Sequence, residues 1–203
     1  MTTVLPTRPV PATADRILDA TERLLARFGY NKTTVDDIAT EAGVSKRTIY
    51  LHFAGKEEVA LASIDRVVGR VTDQLRKIAR TDAHPTDRVL DMLVARILGR
   101  FDSVRSYHQS LEDMFRSLRP TYLARRQRYF DAEAEVFAQV LEEGRRTRAF
   151  AITDPLAVAH DLLVATNGLL PYSLSPAEFG RRAEVAARAS RIAGLLLDGL
   201  RRR

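Results

Sequence analysis

Apolar residues recur at spacings of three and four along almost the whole chain. No stretch shows the sustained β-branched alternation of a strand, so the pattern predicts an all-α protein of about nine helices. A first helix is predicted from Thr13, an N-cap residue, to Arg27, with Ile17, Leu18, Leu24, Leu25 and Phe28 on one side and Gly29 as its stop. A second, short helix is predicted to begin at Thr34, with Asp37 at the third helical position where a carboxylate favours the positive dipole end, and to end before Gly43. A third starts at Ser45 and covers about seven residues. After Ala54 and Gly55 a long helix is predicted from Lys56 to Arg80, its apolar positions including Val59, Ile64, Val68, Val71 and Leu75. Further helices are predicted near residues 86–102, 106–118, 120–143, 154–171 and 177–200. Pro120 suits a first turn, Gly144 a C-terminal stop, and Asp154-Pro155 a cap followed by a first-turn proline.

The short helices hold the informative string, Val35-Asp36-Asp37-Ile38-Ala39-Thr40-Glu41-Ala42-Gly43-Val44-Ser45-Lys46-Arg47-Thr48-Ile49-Tyr50-Leu51-His52-Phe53. Two helices that meet near a right angle need a small residue at their crossing, here Ala39, and a turn residue that tolerates positive φ, here Gly43. Ile38, Ala42, Val44 and Ile49 then form an apolar wedge. With that wedge buried, Ser45 can cap the third helix while Lys46, Arg47 and Thr48 in its first turn face a major groove. Residues 13–55 are thus expected to form a helix-turn-helix DNA-binding domain, preceded by a disordered arm at residues 1–12, whose three prolines and one arginine leave no apolar run.

That string, with Tyr50-Leu51-His52-Phe53 and the following Gly55-Lys56-Glu57-Glu58, resembles the DNA-binding segment of the TetR family of regulators over residues 13–65. Gly55 departs from the Ser, Asn or Asp common before the lysine, although glycine is also tolerated as an N-cap. The resemblance implies a homodimer on double-stranded operator DNA, with residues 56–203 forming an effector-binding and dimerisation domain entered through a connecting helix at 56–80. On that footing Lys46, Tyr50, His52 and Lys56 look like contacts to the DNA backbone, and Arg47 and Thr48 like base readers. Ser45 joins this surface as the helix cap, and Thr33 and Thr34 look like phosphate contacts. A lysine at position 56 opposes the dipole of its own helix, and a bound phosphate would offset this.

Charge changes this picture only locally. The net charge is +6, yet residues 1–60 hold eight basic and eight acidic side chains, so bulk charge does not mark a DNA surface. From Ala42 to Gly55 there are Lys46, Arg47 and His52 and no carboxylate, which makes a basic island in a balanced segment.

In the C-terminal region, Phe115, Tyr122, Phe130 and Phe137 on apolar faces are candidates to line a pocket for a small-molecule, largely apolar effector. His108, His160, Thr166 and Asn167 are polar candidates, because each needs a partner if buried. Leu163, Leu170, Ala186, Ala189, Ala193 and Leu196 are candidates for a dimer interface. No metal, cofactor or catalytic role is expected. There is no cysteine, the histidines at 52, 84, 108 and 160 are scattered, and neither a Glu-x-x-His pair nor a phosphate-binding glycine loop occurs. No apolar run reaches membrane-spanning length and no secretory signal opens the chain, so a cytoplasmic protein is expected. The expected function is a sequence-specific regulator, a repressor by family habit. The alternative is a helical architectural or protein-interaction module without effector control.

Overall fold

The computed structural model of the chain describes residues 12–105, 111–173 and 180–201. Among them lie eight α-helices: α1 (Ala12–Lys32), α2 (Val35–Ala42), α3 (Lys46–His52), α4 (Lys56–Ala79), α5 (Pro85–Val104), α6 (Leu111–Arg146), α7 (Pro155–Ala165) and α8 (Arg182–Leu200). Two 3-10 turns, Asn167–Leu169 and Pro171–Ser173, follow α7. The chain divides into two compact units, Met1–Ile64 and Asp65–Arg203, and the division falls within α4. Residues 1–11 of the expected arm lie outside the described residues, as does His108; Phe115 sits in α6 with its side chain outside them.

The N-terminal unit is organised around one apolar cluster. Ile17, Leu18, Ala20 and Leu24 of α1 meet Ile38, Ala39 and Ala42 of α2, Ile49 of α3 and Val59 of α4. Phe28, predicted on that face, is instead 47% exposed, with the Arg27 guanidinium 4.9 Å from its ring centre. The next residue, Gly29, stands at φ 76° and ψ 170°, a conformation that disfavours any residue with a Cβ. The helix kinks there and resumes to Lys32, and the aromatic that enters the core is Tyr30.

In the C-terminal unit α5 packs on α6 and α8, and α6 packs on α7. Val71, Leu75, Val89, Met92, Leu93, Phe137, Leu141, Leu163 and Leu197 share its core. The two helices predicted at 106–118 and 120–143 are one helix, α6, which runs through Pro120 and leaves eight helices where nine were expected. Pro120 is exposed, and buried Leu118 and Tyr122 anchor the helix on either side of it. Their burial outweighs the roughly 3 kcal/mol that an interior proline costs. The helix predicted at 154–171 ends at Ala165, capped at its start by Asp154, whose Oδ1 accepts from the Leu156 and Ala157 amides at 3.0 Å.

Gly144 does not stop α6, which ends at Arg146. The chain reverses at Arg148, φ 63°, and the Gly144 carbonyl accepts from the amides of Ala149 (2.8 Å) and Phe150 (3.2 Å). A Cβ at Gly144 would lie 2.2 Å from the Phe150 ring and 3.2 Å from Pro85, so glycine is needed for close approach. Gly144→Ala is expected to lower stability by about 1–3 kcal/mol through overpacking. Gly69→Ala, where nothing lies within 4 Å of the added carbon, is expected to leave it level or higher. Urea unfolding midpoints of the two variants check this.

Among the described residues no helix is long and apolar enough to cross a membrane.

Candidate nucleic-acid interface

The geometry of α2, the turn and α3 follows from local chemistry. Thr34 caps α2 through a reciprocal box: its hydroxyl accepts from the Asp37 amide, and the Asp37 carboxylate accepts from the Thr34 amide (2.9 Å) and hydroxyl (2.6 Å). These bonds hold the Asp37 carboxyl below its ordinary pKa. Gly43 closes the helix at φ 65°, and Arg16 of α1 donates to the Ala42 carbonyl at 2.7 Å and to that of Gly43 at 3.3 Å. Its guanidinium leaves only 3.1 Å for a Cβ on Gly43, a second reason for glycine at a position that already demands positive φ. Ser45 then caps α3, accepting from the Thr48 amide at 3.0 Å, with the two hydroxyls 2.8 Å apart. Ile38 and Ile49 are fully buried, and Ala39 and Ala42 nearly so, with half-buried Val44 packed against them.

With that side of α3 in the core, its opposite side carries Lys46, Arg47, Tyr50, Leu51 and His52, all exposed. Lys46 pairs with Asp36 of α2 at 2.9 Å, and that hydrogen bond raises the pKa of its ammonium. The pair is open to solvent, so a competing anion can displace it at little cost. Arg47 and Leu51, four residues apart, share one side of the helix. Leu51, given no role in the sequence pattern, is 74% exposed. The signal was periodicity, since Ile49 already supplies the buried position and Leu51 cannot share its face.

Two expected contacts need correction. Thr33 is buried, and its hydroxyl donates to the Gly29 carbonyl at 2.8 Å, which removes it from this surface. Thr34 is exposed. Lys56 is half-buried: its ammonium donates to the Tyr30 carbonyl at 3.1 Å and lies 4.3 Å from the centre of the Tyr30 ring. A lysine at the start of α4 opposes its own helix dipole, but it also sits at the C-terminal end of α1, where the last carbonyls favour a cation. Its position therefore has an explanation without a phosphate.

The bundle candidates divide by burial. Phe137 belongs to the core, and Tyr122 is buried with its ring tilted against Tyr129. Thr166 is fully buried, its hydroxyl donating to the Leu162 carbonyl at 2.8 Å and accepting from Arg96 at 3.4 Å. Asn167 is half-buried. His160 is not an interior group: its Nε2 lies 3.7 Å from the exposed Asp131 carboxylate, at the surface. Phe130 is buried beneath two guanidiniums, those of Arg96 and Arg126, 5.1 and 4.8 Å from its ring centre.

Charged groups given no role in the sequence pattern surround these residues. Arg96 and Glu133 are both fully buried and paired at 2.8 Å, and Arg100 bonds the other oxygen of the same carboxylate. Burial pushes the Glu133 carboxyl up, but Arg100 and Arg96 outweigh it and hold the pKa below the ordinary carboxylate value. The signal was present in α5, where Arg88, Met92, Arg96 and Arg100 recur every four residues beside the apolar Val89, Leu93, Ile97 and Phe101.

Of the expected dimer residues, Leu163, Leu170, Ala189 and Ala193 are completely buried within the single chain, while Ala186 and Leu196 are half-buried. The first four close their own subunit's core, because the face of an amphipathic helix that is richest in leucine and alanine is the one folding claims first. The outer faces of α7 and α8 instead expose Leu156, Val164 and Leu195, with Ala157, Ala165 and Ala187 nearby.

Residues 17–62 match the family model described as bacterial regulatory proteins, tetR family. The chain is similar to the HTH-type transcriptional regulator EthR of Mycobacterium tuberculosis, 40% identical over 72 residues, which are 36% of this chain and 33% of that one. The chain spans about a third of the length of the curated relatives it matches. In fold it is similar over 93% of its length, and 98% of the other's, to a transcriptional regulator of the TetR/AcrR family from Thermobifida fusca, at 26% identity and a TM-score of 0.65. A fold likeness also extends over 92% of the chain, and 98% of the other, to FadR from Bacillus subtilis in complex with stearoyl-CoA, with a TM-score of 0.64 at 16% identity.

Proposed function

Because the chain belongs to the TetR family, in sequence over residues 17–62 and in fold over nearly its whole length, we propose that it is a homodimeric, sequence-specific DNA-binding regulator, a repressor released from its operator by a small-molecule effector. The observation that carries this reading is the outer side of α3. A seven-residue helix with one face locked in the core presents Lys46, Arg47, Tyr50 and Leu51 to solvent, with no carboxylate between Ala42 and Gly55. Its N-terminal turn enters the major groove. Arg47 reads a base edge, Leu51 meets a thymine methyl, and Lys46, Tyr50 and His52 hold phosphates, joined by the capped N-terminus of α2 at Thr34. Thr48 and Ser45, engaged with each other, fix the start of the helix.

Two copies pair through the outward faces of α7 and α8, where Val164 and Leu195 are 62% and 74% exposed. A homodimer of this kind suits a near-palindromic site whose half-sites lie one turn of DNA apart, about 34–36 Å. The effector occupies the bundle of the C-terminal unit; a protein of similar fold, FadR from Bacillus subtilis, is in complex with stearoyl-CoA. Its arrival reaches α4 through Asp65, which accepts from Arg125 at 2.6 Å and from the Tyr129 hydroxyl, both of α6. The Tyr129 proton is held firmly by burial and by this bond. Changing the α3 separation by such a shift lowers operator affinity, because effector and operator favour different separations.

Arg47→Ala is expected to cost about 1–3 kcal/mol at one base-pair position of each half-site and to relax preference there. Lys46→Ala is expected to weaken every sequence alike and to reduce the salt slope by about one. Binding titrations on single-base operator variants at several salt concentrations separate the two, and identical profiles would contradict these roles.

A further inference from the structure

A cleft of about 250 Å³ belongs wholly to the C-terminal unit and lies outside its apolar core. Its walls come from three stretches distant in sequence: His84, Thr86 and Asp87 at the start of α5, Arg148 and Ala149 in the turn after α6, and Arg201 after α8. The last two stretches are joined through the backbone. The Ala151 amide donates to the Leu200 carbonyl at 2.8 Å, and Phe150 pairs with Arg201 in an isolated bridge.

Three of these side chains hold donors that the fold leaves unused. Thr86 is only 8% exposed, yet its hydroxyl has no hydrogen-bond partner among the described residues. A hydroxyl so far withdrawn from water and left unpaired is costly, and an acceptor in the cleft that Thr86 lines removes the cost. Arg148 also has no partner among the described residues, and it is the one non-glycine among them with positive φ, at 63°. Glycine takes such a turn without strain, so an arginine there is compensated only by what its side chain does. His84 accepts from the Thr86 amide at Nδ1, 3.4 Å away, which puts the proton of the neutral ring on Nε2 as a third donor. The main-chain amides of this helix end are already used, because those of Asp87 and Arg88 bond the His84 carbonyl at 3.0 and 3.1 Å. Arg201 is shared with Asp198 at 3.3 Å, and Asp87 is the one carboxylate that lines the cleft.

The geometry points to a ligand site here, separate from the effector's, for a phosphate group carried on a small hydroxylated ester or free in solution. Three donors from separate stretches match the three terminal oxygens of a phosphate monoester better than the two of a carboxylate. Arg148, the Thr86 hydroxyl and His84 Nε2 donate to those oxygens, and Arg201 adds positive charge. Asp87 repels a bare dianion but accepts from a hydroxyl of the ester, which favours the ester over free phosphate. The volume falls below the roughly 300–1,000 Å³ of ordinary small-molecule sites and so limits the occupant to a few heavy atoms beyond the phosphate. Bound there, the ligand ties the start of α5 to the α6–α7 turn and the end of α8, and stabilises the folded chain by mass action. The site stands or falls independently of effector control.

The full-length protein is titrated by calorimetry with glycerol 3-phosphate, inorganic phosphate, glycerate and glycerol at one fixed ionic strength, and its thermal midpoint is read with each. Glycerol 3-phosphate is expected to bind saturably, once per chain, and to raise the midpoint, with glycerate at least about tenfold weaker. The ratio of glycerol 3-phosphate to inorganic phosphate affinity identifies which source fills the site. Arg148→Gly is expected to weaken phosphate binding by about tenfold or more while the midpoint without ligand stays level or rises, because the strained turn is relieved. Thr86→Val is expected to weaken binding about fivefold, again without loss of midpoint, because the unpaired hydroxyl is gone.

Absence of saturable binding by either phosphate compound overturns the site. Glycerate that binds as tightly as glycerol 3-phosphate overturns the assignment to phosphate. Affinity unchanged in both Arg148→Gly and Thr86→Val places the ligand elsewhere and overturns it as well. A lowered midpoint in Arg148→Gly with full phosphate affinity would show that the arginine serves the fold alone.

Discussion

Glu133→Ala is expected to destabilise the C-terminal unit by about 3–5 kcal/mol, because it removes the carboxylate that Arg96 and Arg100 share and leaves the fully buried Arg96 guanidinium without its anion. A loss of that size exceeds what truncating most surface ion pairs produces, and is a large part of the total stability of a typical domain. It arises from asymmetry: the attraction within the cluster is partly cancelled by desolvation, but removing the carboxylate leaves the desolvation cost of the enclosed Arg96. The same cluster predicts an acid limit. Glu133 titrates below its ordinary range in the folded chain, so its contribution is complete above that range and is lost as the pH falls through the depressed folded value. Urea midpoints of the unaltered protein and of Glu133→Ala, measured at neutral pH and again on acidification, check both statements. The gap between the two curves is expected to narrow as the pH drops. A gap that is absent at neutral pH would show that Glu133 does not hold the cluster.

The second large effect belongs to the N-terminal unit. Ile49 is the fully buried face of α3 and touches α1 and α2 residues in one cluster. Ile49→Ala is expected to cost about 2–5 kcal/mol by lost burial and by the cavity it leaves. In a seven-residue helix, too short to persist alone, that contact is what keeps the helix formed. Operator binding is therefore expected to fall far more than for any single exposed α3 residue, although Ile49 touches no DNA in the proposed complex. Circular dichroism and operator titration on the same variant test this. Full operator affinity in a protein with a lowered unfolding midpoint would mean that α3 does not depend on the wedge.

How well each part could be read from sequence followed from how local its causes are. The α2–α3 unit was legible because its determinants lie within a few residues of each other: the Thr34–Asp37 box, Gly43 at positive φ, and the Ser45 cap. The errors fell where a residue's usual local meaning was overridden at a distance. Pro120 reads as a helix start, yet burial of Leu118 and Tyr122 carries α6 through it. Gly144 reads as a helix stop, and its reason is the Phe150 ring folded against it. Lys56 reads as a cation in want of a phosphate until the Tyr30 carbonyl, 26 residues away, is placed beside it. Leu163, Leu170, Ala189 and Ala193 read as dimer residues by their apolar content, yet they are buried within the chain's own fold. Most instructive is the arginine ladder of α5. Periodicity alone cannot say whether Arg96 is solvated or enclosed, because the answer depends on Glu133 arriving from α6.

The central claim is that α3 reads sequence, and the affinity ratio between a selected site and bulk DNA tests it most directly. Repeated selection from a pool of random duplexes, followed by titration of the winner and of scrambled DNA at one fixed salt concentration, gives that ratio. A near-palindromic winner is expected, bound at least about a thousandfold more tightly than scrambled DNA. A ratio near one would contradict it.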